Sequence, residues 1–135
     1  ILAYELTQVA INARSISASP MRFVEQLALS TKKDVVVGFS FPPYSRETID
    51  AAGFAKERGA RVISFTDTLT SPMTYLADRV IVVRSRNMLY TNSIAAISIM
   101  MNAIVTQIAL KNKKVITPTM EVVSRQMRKT GQYIP

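Results

Sequence analysis

The chain of 135 residues contains no cysteine, no histidine and no tryptophan, and only four glycines. Without cysteine there is neither a disulfide nor a thiolate nucleophile. Without histidine the commonest metal ligand and the usual general base near neutral pH are missing. No metal and no cofactor are therefore expected, and any catalysis would have to rest on carboxylates, hydroxyls or lysines. Acidic residues are also scarce, nine against seventeen lysines and arginines, for a formal net charge of +8. That excess favours anionic partners such as phosphates, nucleic acid or acidic proteins. The basic residues are scattered from Arg14 to Lys129, with no helix-turn-helix, zinc or aromatic-platform pattern among them. A solvated surface thus explains them at least as well as a nucleic-acid footprint.

What is present suffices for a core: 48% of residues are hydrophobic, and residues 1–135 fit a single domain. The chain opens on Ile1-Leu2-Ala3-Tyr4, with neither an initiator Met nor a cleavable signal pattern, and so reads as a fragment. No residue from Asn87 to Leu110 is charged, which is enough length for a membrane span. Asn92, Ser93, Ser98, Asn102, Thr106 and Gln107 interrupt that stretch, so a buried or intersubunit helix is the better reading and no membrane is expected.

Three short β-branched runs, Asp34-Val35-Val36-Val37-Gly38-Phe39, Arg61-Val62-Ile63-Ser64-Phe65 and Val80-Ile81-Val82-Val83, show no polar alternation. This is the pattern of strands covered on both faces, as in parallel sheets. Helix-compatible segments precede them, giving a βαβαβ progression with right-handed crossovers. Residues 45–58 form the clearest helix, with Ile49, Ala52 and Ala55 on one side and Gly59 as a left-handed stop. Ser19-Pro20 and Ser71-Pro72 each read as a cap followed by a helix-starting proline. They predict helices over residues 20–30 and 71–77. Residues 2–10 read as the end of an earlier helix, and residues 11–17 as a short edge strand. Asn92 or Ser93 is expected to cap a long helix to Lys111 that is apolar around most of its circumference, which points to a subunit interface. A final basic amphipathic helix is expected over residues 118–129.

In open parallel sheets, ligands bind beyond the carboxyl ends of the strands. Here those loops carry Ser40 to Ser45, then Thr66, Asp67 and Ser71, then Arg84, Ser85 and Arg86. Ser40 at a strand end and Ser45 at a helix start are neutral donors beside free backbone N–H groups, an arrangement suited to a phosphate. Tyr44, Arg46 and Thr66 flank them, and together these five are the candidate ligand-binding residues. A helix cap plus a turn serine explains the spacing equally well.

The segment from Asp34 through Ser40-Phe41-Pro42-Pro43-Tyr44-Ser45 to Ile49, with Ala55 to Asp67, Ser71-Pro72 and Ala77-Asp78, resembles a sugar isomerase (SIS) domain. More narrowly it is similar to the sugar-phosphate-sensing domain of RpiR-type transcription regulators. The resemblance implies a three-layer α/β/α fold, flavodoxin-like, whose usual loop Ser-x-Ser-Gly-x-Thr or Ser holds the ligand phosphate. Ser40 and Ser45 match the first and last hydroxyls, whereas Pro42 and Pro43 replace the middle Ser and the Gly. The family's opening strand and its serine loop precede residues 2–10 and are not in this sequence, so an incomplete domain lacking its first strand is expected.

The resemblance implies a non-catalytic effector and dimerisation domain in the cytoplasm. Its partners would be a sugar phosphate, a second copy or a tetramer, and DNA through a helix-turn-helix module outside this chain. An aldose–ketose isomerase of the same fold is the alternative. Glu47 is the only glutamate near the predicted edge, with Glu121 or Lys129 as reserves from the tail. A dimerisation module that has lost its ligand is the third reading, suggested by Pro42-Pro43.

Overall fold

The computed structural model describes residues 1–16, 22–85 and 92–131. These fall in two compact units, one formed by Ile1–Ser15 with Ile99–Pro135 and the other by Ile16–Ser98. The expected cap at Ser19-Pro20, the end of the expected edge strand at Ser17, and Arg86 lie outside the described residues.

The second unit is built on three parallel strands, β1 (Val35–Ser40), β2 (Arg61–Thr66) and β3 (Arg79–Val82), in the order β1-β2-β3. Val35 pairs with Arg61 and Ser40 with Thr66, and Ile63 to Thr66 pair with Arg79 to Val82. The β-branched runs thus become the parallel strands expected of them. Between β1 and β2 runs α3 (Arg46–Glu57), which Ser45 caps by accepting the Thr48 N–H at 3.4 Å. Gly59, at φ 88°, turns the chain out of it.

Small residues set the packing. Ala51, Ala55 and Ala60 cluster with Leu27 of α2 (Phe23–Leu27), while Ala52, Val62 and Met73 form a neighbouring cluster. Met73 belongs to a single 3-10 turn, Pro72–Tyr75, where a short helix to residue 77 was expected. A β carbon on Gly38 would collide with the Met73 methyl, so that glycine is set by close approach of a side chain to the sheet. Phe39 and Phe65 stack with centroids 4.8 Å apart.

In the first unit, α1 (Leu2–Gln8) ends where Ala10 adopts φ 61° and the Ile11 N–H donates to the Leu6 carbonyl at 3.0 Å. Val9, Val105 and Ile116 form its core with Leu2, Leu6, Ile11 and Ile108. The long helix α4 (Ile94–Lys111), which belongs to this unit from Ile99 on, is as expected, and α5 (Lys113–Lys129) follows.

Three further segments depart from expectation. Residues 11–16 form no strand; Ile11 packs into the helical cluster and Ile16 against the α2–α3 cluster, so what looked like alternation is two separate anchors. Helix α2 is shorter than residues 20–30 allow, ending at Leu27, with Ser30 N–H returning to the Leu27 carbonyl at 2.9 Å. Helix α5 starts at Lys113, more than a turn ahead of Pro118, which lies inside it. The Thr117 hydroxyl donates to the Lys113 carbonyl at 2.8 Å. The helix is largely exposed there, so water can satisfy the backbone that the proline leaves unpaired.

Candidate functional site

At the carboxyl end of the sheet, Ser40 and Thr66 are registered partners, so their side chains share one face. The Thr66 hydroxyl, fully buried, donates to the Ser40 carbonyl at 2.7 Å and is 3.3 Å from Asp67 Oδ1. Its single proton therefore ties the two strand ends together. The Ser40 Oγ is buried and has no hydrogen-bond partner among the described residues, and the same holds for Ser71 Oγ in the second loop. Buried hydroxyls are seldom left unpaired. Two of them at the edge where parallel sheets bind ligands are a reason to look for a ligand there. Ser64 is likewise unpaired, but it lies opposite Gly38, deeper within the strands.

The first loop is fixed at both ends. The Tyr44 hydroxyl donates to Asp67 Oδ1 at 2.7 Å, joining residues 23 apart in sequence. Partial burial, reinforced by that bond and the negative charge of Asp67, raises the phenol above its ordinary 10.0. The Ser71 hydroxyl is near enough to pull weakly the other way, yet it meets no partner at hydrogen-bonding geometry. On the other side, Asn92 Nδ2 donates to the Pro42 carbonyl at 2.8 Å and Asn92 Oδ1 accepts from the buried Ser85 hydroxyl at 3.0 Å. Pro42-Pro43 is a cis peptide. Asn92 is thus spent on the loop. The cap position of α4 falls to Ser93, whose carbonyl accepts the Ile97 N–H at 3.5 Å.

Ser45 accepts a backbone bond as a cap, which leaves its O–H proton for another acceptor. Arg46 is exposed and only 3.7 Å from Asp50 at its nearest, a solvent-screened pair that leaves the guanidinium available. The five residues singled out in the sequence therefore lie at one sheet edge, within the second unit. Asp67, Ser71 and Ser85 were placed on the strand-end loops but not among those five, and Asn92 was expected only as a helix cap. Nothing local marks its bond to the Pro42 carbonyl, 50 residues away.

A family model described as SIS domain matches residues 2–107. The chain belongs to the SIS domain family. Its three parallel strands and flanking helices are those of the α/β SIS fold, as its strand pattern indicated. Among solved structures it is similar to the sugar isomerase domain of an RpiR transcription factor from Sphaerobacter thermophilus. The two are 25% identical, with a TM-score of 0.84, over 92% of this chain and 69% of that one. It shares its fold with the Vibrio vulnificus NanR protein complexed with ManNAc-6P, at 23% identity and a TM-score of 0.73, over 93% of this chain and 50% of that one. An uncharacterized HTH-type transcriptional regulator of Haemophilus influenzae is 44% identical over 57 residues. That match spans 42% of this chain and 20% of the relative. This SIS chain is therefore similar to domains of transcriptional regulators.

Proposed function

We propose that this SIS domain is the sugar-phosphate-sensing part of a cytoplasmic transcriptional regulator and that it dimerises without catalysing a reaction. The observation that carries the reading is the pair of buried, unpartnered hydroxyls, Ser40 and Ser71, at the sheet edge beside the N-terminus of α3. A phosphate there would accept from Ser40, Ser45 and the first backbone N–H groups of α3, with Arg46 supplying charge from the rim. Tyr44 and Thr66 line the site, their protons turned to Asp67 and to the Ser40 carbonyl. The complex of NanR with ManNAc-6P supports this ligand class. The likeness to an RpiR factor and an HTH-type regulator supports a DNA-linked role through a module outside this chain. An isomerase needs a base to move a proton between adjacent carbons. The absence of histidine and the engagement of Asp67 by Tyr44 weigh against it.

The test is calorimetric titration of the protein with a panel of aldose, ketose and N-acetylamino sugar phosphates that includes ManNAc-6P. The same mixtures are assayed for interconversion. Saturable binding to one panel member with no turnover is the expected result; turnover establishes the isomerase, and no binding at all establishes the module that has lost its ligand.

A further inference from the structure

Asp67 follows directly on β2 and stands half-buried at the edge where Ser40 and Ser71 leave hydroxyls unpaired. One of its oxygens, Oδ1, receives the Tyr44 hydroxyl at 2.7 Å, and this bond orients the carboxylate, while Thr66 Oγ1, 3.3 Å away, has its proton on the Ser40 carbonyl. No described contact occupies its Oδ2. A carboxylate fixed in this way accepts hydrogen bonds from alcohols and amines and repels a second anion, in a setting less screened than bulk water. Among the described residues, the basic groups of this edge are Arg46 and the N-terminus of α3 at the first loop and the exposed Arg84 at the third.

We propose that Asp67 is the specificity-determining residue of the site, selecting phosphorylated sugars whose remaining groups are neutral or cationic and excluding phosphorylated sugar acids. This rests on the sugar-phosphate reading above and adds the ligand class. The phosphate meets hydroxyls, backbone N–H groups and an arginine; a sugar group that reaches Asp67 Oδ2 meets a negative charge that an alcohol satisfies and a carboxylate does not. A hydroxyl donating to Oδ2 loses little relative to water, whereas a carboxylate placed there must be desolvated next to a like charge.

The probes are sorbitol phosphate and phosphogluconate, which share the phosphate and the carbon chain and differ only in whether the terminal carbon is an alcohol or a carboxylate. The unaltered protein is expected to bind the alcohol at least about tenfold more tightly, equivalent to about 1.4 kcal/mol. Asp67→Asn is expected to shrink that ratio to within about threefold by gaining affinity for the acid, while Asp67→Glu restores discrimination. A general loss of structure does not produce a gain for one probe, and the melting midpoint of each variant is recorded beside it. Equal binding of both probes by the unaltered protein overturns the proposal, as does a ratio that survives Asp67→Asn. Failure of both probes while another panel sugar phosphate binds also counts against it. Failure of the whole panel instead removes the sensing function itself.

Discussion

Two serines at one sheet edge have different energetic positions, and that difference separates binding from folding. Ser40 Oγ is buried with no partner, so in the absence of ligand its hydroxyl is a desolvated group that stabilises nothing. Ser40→Ala should therefore leave the melting midpoint unchanged or slightly raised while lowering sugar-phosphate affinity by one to two powers of ten, roughly 1.5–3 kcal/mol. Ser45 already works as a cap through the Thr48 N–H. Ser45→Ala should cost about 1 kcal/mol of stability in addition to weakening binding. Thermal melts beside titrations of both variants check the pair; equal melts with unchanged affinity would reduce the two serines to a turn and a cap. Asp78 offers a residue-scale prediction away from the site. Its carboxylate accepts the Val62 N–H at 2.8 Å and the Lys56 ammonium at 3.3 Å, and these bonds lower its pKa below 3.8. A folded-state pKa below the unfolded one gives stability that is present above 3.8 and lost as pH falls through the folded value. Denaturation midpoints between about pH 2 and 5 should fall more steeply for the unaltered protein than for Asp78→Asn, which cannot titrate there.

At the scale of elements, β1 is fitted to its cover through Gly38, where the Met73 methyl occupies the place of a side chain. Gly38→Ala should cost about 1–2 kcal/mol, because the displaced group is the flexible end of a methionine that is nevertheless fully buried. Combining it with Met73→Val, which shortens the intruding chain, should recover part of the loss in urea denaturation; simple additivity of the two losses would show that they do not meet. This fit also shows what the sequence makes legible. Strand runs such as Val35-Val36-Val37 announce themselves, because burial on both faces leaves no polar alternation, and the Ser45 cap and the Gly59 stop are local chemistry. Pro118 misled, because proline favours the first helical turn but is also tolerated inside an exposed helix when its neighbours leave the freed carbonyl to water. Residues 11–16 misled because apolar residues anchoring two different clusters imitate a period of two. In the candidate site, the positions of Ser40 at a strand end and Ser45 at a helix start were readable from the sequence. The Tyr44 to Asp67 and Asn92 to Pro42 bonds were not, since each joins loops that only the folded sheet brings together.

For the whole molecule the decisive feature is the surface of α4. Of its 18 residues only Met101 and Val105 are buried, while Ile94, Ile99 and Leu110 are 70%, 72% and 62% exposed. The helix is long and apolar enough to cross a membrane by length and composition. Lipid would nevertheless face Asn102, Thr106 and Gln107, which are exposed among the apolar residues, and such groups are costly in hydrocarbon. A protein surface can accommodate a mixed face, and α5 likewise exposes Val115, Met120, Val122 and Val123. Apolar exposure of this kind on a helix marks an interaction surface, and in a homodimer the same face of a second copy would cover it. Sedimentation should therefore show a dimer. Met101→Glu is a poor probe of it, because Met101 is buried within the chain and its charge would damage the fold itself. Ile99→Glu is the better one: the side chain is solvent-exposed in the isolated chain, so the substitution should change the stability of the monomer by no more than about 0.5 kcal/mol. At an interface the same charge would be desolvated without a partner, and the expected outcome is a folded monomer whose far-ultraviolet spectrum is unchanged. A dimer that persists in Ile99→Glu would move the contact off this face of α4, and an unaltered protein that sediments as a monomer at all concentrations would remove it altogether.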